Sequence, residues 1–288
     1  MDLPLVSVIC LCYNHARFIK ESLESVLAQD YSPVEIIVVD DKSSDMSRQI
    51  IEEIALGNPE IRTIFLENNQ GNCKAFNTGF RASSGKYIID LAADDILMPE
   101  RIRTGVACME RSDESFGVHF TDAAYIDENA VFLRTHYKKD HAGNLIEHVP
   151  EGDIYRELLA RYFICSPTMM IKRIVLEVLG GYDENLAYED FDFWVRSSRK
   201  YKYCFTDEVL VKKRLVRGSL SSRQYTASSR ILASTYRVCI KAERLNRNRS
   251  EHLALAKRAA YEGRQAILSG NFVQAMNFMS LIDRLPIT

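Results

Sequence analysis

Two hydrophobic periods alternate along the opening third of the chain. Short β-branched apolar runs, Leu5 to Cys10, Val34 to Val39, Ile61 to Leu66 and Tyr87 to Leu91, read as buried strands. Between them apolar residues recur at helical spacing, first Phe18, Ile19, Leu23, Val26 and Leu27, then Met46, Ile50, Ile51, Ile54 and Ala55, then a stretch from about 71 to 82. This alternation predicts βαβ units and an α/β, mainly parallel sheet flanked by helices. Ligands of such sheets bind beyond the carboxyl ends of the strands. The residues that end each strand are therefore the first candidates for chemistry: Tyr13-Asn14-His15, Asp40-Asp41-Lys42-Ser43-Ser44, and Asp94-Asp95.

From about 100 to 223 the pattern is less regular and mixes short strands with helices. Gly180-Gly181 reads as a helix end, and the acidic run Glu189-Asp190-Phe191-Asp192 as the start of the next helix, where carboxylates complement the dipole. Residues from 224 onward predict two or three helices broken near Asn246-Arg247-Asn248 and Gly270-Asn271. The expected division is 1–99, 100–223 and a basic helical extension, 224–288.

The chain's 288 residues, 47% hydrophobic and 26% charged, suit a folded protein with its own core. Its apolar runs are too short to span a bilayer, and Met1-Asp2-Leu3-Pro4 lacks a basic leader, so a soluble, cytoplasmic protein is expected. The seven cysteines contain no CxxC pair, and His136, His141 and His148 read as a solvated loop rather than a zinc site. Charge is uneven: from residue 201 onward there are 16 Lys and Arg against 6 Asp and Glu. A basic tail on an acidic front points to an anionic partner or to a solvated helical surface.

No GxGxxG follows the first strand, and GxxxxGK[ST] and GxSxG are absent, which removes the usual support for dinucleotide, P-loop and serine-esterase chemistry. Acidic strand ends at one sheet edge repel each other unless a divalent cation or a set of donors sits among them. A hard cation on one or two carboxylates completes its shell with water and substrate phosphates, which points to a nucleotide diphosphate. Asp41 then accepts from a base N–H or a ribose hydroxyl, Tyr13 lies against the base and Asp94 holds the metal. The plainer reading of each aspartate alone is a turn or N-cap residue.

Taken together and in order, these segments resemble family 2 glycosyltransferases, inverting enzymes of the GT-A fold. The resemblance runs over about residues 4 to 223 through Val6-Ser7-Val8-Ile9, Tyr13-Asn14, Ser25 to Gln29, Glu35 to Asp45, Asn69-Gln70-Gly71, Ala75-Phe76-Asn77-Thr78-Gly79, Ser84-Gly85-Lys86-Tyr87-Ile88, Asp94 to Pro99, Gly180 to Glu184 and Glu189-Asp190. It implies that 1–99 is the nucleotide-sugar-binding half and 100–223 the acceptor-binding half, that Tyr13, Asn14 and Asp41 bind the nucleotide sugar with Asp40 supporting their loop, and that Asn77 is among the donor contacts. It implies that Asp94, the last acidic residue of a DxD motif, holds Mn²⁺ or Mg²⁺ with Asp95 through water. It also makes Asp190 the catalytic base and Glu189 the group that positions the acceptor, with Tyr188 and Trp194 as sugar-stacking candidates. The chain departs from the family pattern at Ala92, where the first DxD aspartate belongs. It departs again at Phe76 in place of an arginine, which shifts phosphate contact to Lys74, and at Val216 in place of a histidine.

The implied reaction moves a sugar from a nucleotide diphosphate, UDP by default, to a hydroxyl of a glycan or lipid-linked acceptor in surface polysaccharide assembly. The alternative is a catalytically silent domain that binds the nucleotide sugar or scaffolds a complex, which the changes at Ala92 and Val216 keep open. The basic tail suits the inner face of a plasma membrane, and its apolar residues suit self-association equally well. It lacks the aromatic array of a nucleic-acid surface, so no nucleic acid is expected.

Overall fold

In a computed structural model the described residues are 3–219 and 224–287, so the division expected at 223 falls on residues outside them. The chain forms two compact units. The first comprises Met1–Gly152, Ile164–Tyr182 and Tyr201–Val216; the second comprises Asp153–Phe163, Asp183–Lys200 and Arg217–Thr288.

Among the described residues the first unit carries one sheet of nine strands. They are β1 (Val6–Cys12), β2 (Val34–Asp40), β3 (Ile61–Phe65), β4 (Tyr87–Ala92), β5 (Ile96–Leu97), β6 (Phe116–Ile126), β7 (Phe132–Thr135), β8 (Met170–Lys172) and β9 (Lys202–Arg214). Their order is β3-β2-β1-β4-β8-β6-β9-β5, with β7 on β6. The β3, β2, β1 and β4 neighbours are parallel, as are β6 and β9, while β8 joins the halves antiparallel. Every residue of β1 is buried, as a central parallel strand covered on both faces requires.

Helices α1 (Ile19–Leu27), α2 (Ser47–Gly57), α3 (Asn72–Ala82), α4 (Arg101–Arg111) and α6 (Arg173–Leu179) belong to the same unit. Gly85, in the turn before β4, lets the backbone pass close to β1: a Cβ there would lie 2.4 Å from Ser7 Oγ and 2.6 Å from Ser7 N. The Glu35 carboxylate accepts from the Ser7 hydroxyl and the Ser84 and Gly85 amides, which holds that turn on the sheet.

The second unit is helical: α5 (Tyr155–Ala160), α7 (Asp190–Ser197), α8 (Arg230–Leu245), α9 (Arg249–Leu268) and α10 (Phe272–Arg284). Its core draws on Leu158, Phe191, Trp194, Leu232, Val238, Leu255 and Phe278. Ser229, Asn248 and Asn271 cap α8, α9 and α10 by accepting from the backbone amide three residues on. The two asparagine caps lie at the breaks expected near 246–248 and 270–271. A buried Arg258–Glu262 pair, 3.1 Å apart, lies inside α9 with the guanidinium over the Tyr162 ring.

Candidate active site

The register of the parallel strands aligns the expected strand ends. Cys12 pairs with Asp40 and Leu11 with Ala92, so Tyr13, Asp41 and Ala93 leave β1, β2 and β4 at the same sheet edge. Backbone bonds extend the alignment, with Asp41 N donating to Cys12 O at 2.8 Å and Ala93 N to Leu11 O at 2.9 Å. The sheet edge thus brings together Tyr13, Asn14, Asp40, Asp41 and the Asp94 turn.

The loops after β1 and β2 are stitched to one another. Asn14, at φ 58°, donates its amide to Ser43 Oγ and accepts from Ser44 N, both at 2.8 Å. His15 N donates to Ser47 Oγ and Ala16 N to Asp45 Oδ2, each at 3.0 Å. Asp40 is buried and accepts from Ser43 N at 2.9 Å, so Asn14 and Asp40 shape the rim on which the exposed Tyr13 ring stands.

Asp41, 5% exposed, accepts from Gln70 N at 2.7 Å and Gly71 N at 2.8 Å. These bonds fix the turn that opens α3, whose first turn carries Lys74. Burial pushes the Asp41 carboxyl up from its ordinary value against those two amides. Each carboxylate oxygen keeps further acceptor capacity beyond its backbone bond.

Asn77 is 4% exposed and its amide is engaged by Tyr182: Nδ2 donates to Tyr182 O and Oδ1 accepts from Tyr182 N, both at 2.9 Å. Expected among the donor contacts, it is observed as a brace between α3 and the Gly180-Gly181-Tyr182 segment. Asp95 also faces inward. It is 3% exposed and accepts from Arg214 N at 2.8 Å. Burial and then the neighbouring Asp94 charge push its carboxyl well above the usual range.

Two residues without a role in the sequence reading, His15 being only a strand-end candidate, complete this turn. Arg214, nearly buried at the end of β9, donates to Asp94 O at 3.0 Å and to Glu21 Oε2 at 2.5 Å, with its guanidinium 4.8 Å from the Phe18 ring centroid. His15 Nε2 lies 3.9 Å from Asp94 Oδ2, and its buried Nδ1 has no hydrogen-bond partner. His15 directly follows the Tyr-Asn pair, and that adjacency to a strand end is the signal that pointed to it.

The described residues contain no group of three His, Cys, Asp or Glu arranged to hold a metal. The donor set available for the cation implied by the fold is the Asp94 carboxylate with the His15 imidazole beside it. That set fits a hard or borderline ion that takes most of its ligands from substrate phosphate and water. Of the three histidines in the middle region, His136 Nδ1 is 2.9 Å from the Tyr125 hydroxyl, while His141 and His148 are exposed.

The second unit places Glu189 at the N-cap of α7 and Asp190 in its first turn, both half-buried. Trp194 is buried with its ring 5.6 Å from Tyr162, and the Tyr188 hydroxyl meets those of Thr235 and Tyr162. Of the two stacking candidates, Trp194 is a core residue of this unit.

A family model for glycosyl transferase family 2 matches residues 7–180, which takes in the strand-end loops and stops short of Glu189 and Asp190. A glycosyltransferase of Methanocaldococcus jannaschii, itself uncharacterized, is 33% identical over 75% of this chain and 72% of its own length. A second, from Rickettsia typhi, is 32% identical over 74% of this chain and 64% of its own length. Among solved structures, S. aureus TarS 1-349 in complex with UDP-GlcNAc superposes with a TM-score of 0.73 at 18% identity, covering 96% of this chain and 79% of that one. The mannosyltransferase PcManGT of Pyrobaculum calidifontis, in complex with GDP-Man and Mn²⁺, gives 0.63 at 19% identity over 97% and 80%. These structural matches show the GT-A fold that the family resemblance implies. The strand-end loops, the family model and the relatives agree, and the chain belongs to glycosyl transferase family 2.

Proposed function

We propose that this protein transfers a sugar from a nucleotide diphosphate to a hydroxyl of a glycan or lipid-linked acceptor, with inversion at the anomeric carbon. The observation that carries this reading is the alignment of Tyr13-Asn14, Asp40-Asp41 and the Asp94 turn on one edge of a parallel sheet. Tyr13 stacks on the base, Asp41 accepts from base or ribose, and Lys74 in the first turn of α3 meets the diphosphate. Asp94 holds Mn²⁺ or Mg²⁺ with His15 as its neighbour, and Asp95 supports the turn from within. A bound cation supplies stabilisation of the negative charge that gathers on the departing phosphates. Asp190 takes the proton of the attacking hydroxyl, a contribution of roughly 10²–10⁴-fold when a carboxylate is in reach, and Glu189 orients the acceptor. One base and one departing diphosphate suffice for a single displacement, which supports inversion. UDP is the nucleotide we favour, because S. aureus TarS is observed with both UDP-GlcNAc and UDP.

For the C-terminal helices we propose peripheral contact with an anionic membrane surface during polysaccharide assembly. No helix among the described residues is long and apolar enough to cross a membrane. Support comes from exposed Ile267, Leu268, Phe272, Val273, Met276 and Met279 around the α9–α10 turn, a stretch without Asp or Glu between Glu262 and Asp283. Lys241, Arg258 and Arg284 are paired with carboxylates, so the charge left for a surface is smaller than composition suggests. Co-sedimentation with phosphatidylglycerol vesicles tests this; pairing of two copies would instead appear as a dimer in light scattering.

The transferase reading is tested by incubating the protein with UDP-GlcNAc or GDP-mannose and Mn²⁺ and following nucleotide release. Release that Asp190→Asn abolishes supports it. Equal release by the variant would remove Asp190 as the base.

A further inference from the structure

The segment Asp183 to Tyr188, which leads directly into Glu189 and Asp190, is held by side chains of α8. Lys241 Nζ donates to Asp183 Oδ2 and to Asp192 Oδ1, both at 2.5 Å. One ammonium thus ties the residue that begins the segment to the residue two positions beyond Asp190. Between those anchors Arg237 Nη1 donates to Asn185 O at 3.1 Å and Ala187 N donates to Ser234 Oγ at 2.9 Å. The Tyr188 hydroxyl lies 2.8 Å from Thr235 Oγ1. Ser234, Arg237 and Lys241 recur at i, i+3 and i+7 and so share one face of α8.

Asp192 explains why the anchor is a cation. It is 1% exposed, and Arg196 Nε at 2.6 Å is its second charged partner. A buried carboxylate is costly unless paired, and pairing it with Lys241 fixes the first turn of α7 against α8. A proton acceptor displaced by about 1 Å can lose on the order of 10²-fold in rate. All of these residues belong to the second unit, and its α8 lies outside the residues the family model matches.

We propose that α8 is the positioning element for the Glu189–Asp190 pair, with Lys241, Ser234 and Thr235 as positioning residues. This rests on the reading of Asp190 as the base. The C-terminal helices are then a working part of the transferase.

The test uses the full chain and compares Lys241→Met, Lys241→Arg, the double variant Ser234→Ala/Thr235→Val, and Asp190→Asn. Nucleotide release is followed with whichever of UDP-GlcNAc and GDP-mannose the wild type turns over, alongside amide hydrogen exchange of the peptide covering 183–190. Lys241→Met and the double variant should lower kcat about 10- to 100-fold, leave the donor KM within about twofold, and speed exchange in that peptide while leaving 34–44 unchanged. Lys241→Arg should recover most of the kcat. Asp190→Asn should lose kcat without faster exchange.

Full kcat and unchanged exchange in Lys241→Met and the double variant, with Asp190→Asn inactive, would overturn the positioning role and leave the base standing. Turnover retained in Asp190→Asn would overturn the base and the positioning role with it. Should Lys241→Met fail to fold, the double variant decides by the same two readouts. Exchange alone decides if neither donor is turned over: a 183–190 peptide no faster than wild type in the double variant overturns the proposal.

Discussion

Asn77 holds the backbone of Tyr182 from both sides, donating to its carbonyl and accepting from its amide across 105 residues of sequence. The Phe76 ring stacks on Tyr182 with centroids 4.1 Å apart. Gly181, at φ +78°, completes the joint, because a Cβ there would lie 2.4 Å from Asn77 Oδ1. Two segments that looked like separate motifs are one lock that sets where the chain leaves the sheet unit. Asn77→Ala would strand a buried N–H and C=O, at a cost of about 2–3 kcal/mol. Chemical denaturation should show that loss, and calorimetry should show UDP affinity within a few-fold of wild type.

Asp41 ties the β2 loop to the start of α3 through Gln70 and Gly71. Asp41→Ala removes a charged acceptor from two backbone amides and, in the proposed function, from the nucleotide, so UDP affinity should fall about 10- to 100-fold. Calorimetric titration of the variant checks this, and unchanged affinity would place the nucleoside elsewhere.

In the proposed function, with Ala92 at the position of the first DxD aspartate, a cation would depend on Asp94 and on what stands next to it. His15→Ala should weaken the Mn²⁺ dependence of UDP binding by about tenfold, the scale of losing a neighbouring ligand or its support. Manganese titration monitored by electron paramagnetic resonance reads this directly. Equal Mn²⁺ affinity in the variant would leave Asp94 as the sole protein donor.

The Lys241 bridge carries a pH signature. Burial works against the Asp183 charge, but Lys241 and the Asn185 amides outweigh it and hold the carboxyl down to about 2. A depressed carboxylate contributes stability above its ordinary value, and that contribution is lost as pH falls from about 4 to about 2. The melting-temperature gap between wild type and Lys241→Met should therefore be constant above pH 5 and shrink below pH 4. A gap that does not change with pH would mean that the bridge contributes through packing alone.

Much of the first hundred residues was legible because their determinants are local. β1, β2 and β4 are continuous apolar runs, and Asp41 and Asp94 follow directly from where those runs stop. Asn248 and Asn271 marked the breaks between the C-terminal helices for the same reason, since a cap acts within three residues. β6 and β9 were not legible: Lys202–Arg214 alternates poorly, and its parallel pairing with Phe116–Ile126 is set by partners some 86 residues away, with register shifts between Phe116 and Val118 and around Asp122. Nor can sequence tell a carboxylate or amide held by the backbone from one open to a ligand. Asn77 and Asp95 read as donor and metal contacts from the sequence, and the structure adds Tyr182 and Arg214 as their backbone partners.

Whether a metal-held nucleotide binds at this sheet edge is read by calorimetric titration of the full chain with UDP, in Mn²⁺ and again in EDTA. The expected result is saturable binding in Mn²⁺ that weakens at least tenfold in EDTA and is lost in Asp94→Ala. Binding equally tight in EDTA and in Asp94→Ala would contradict the metal-held diphosphate, and no binding of UDP, GDP or dTDP under either condition would contradict the nucleotide site itself.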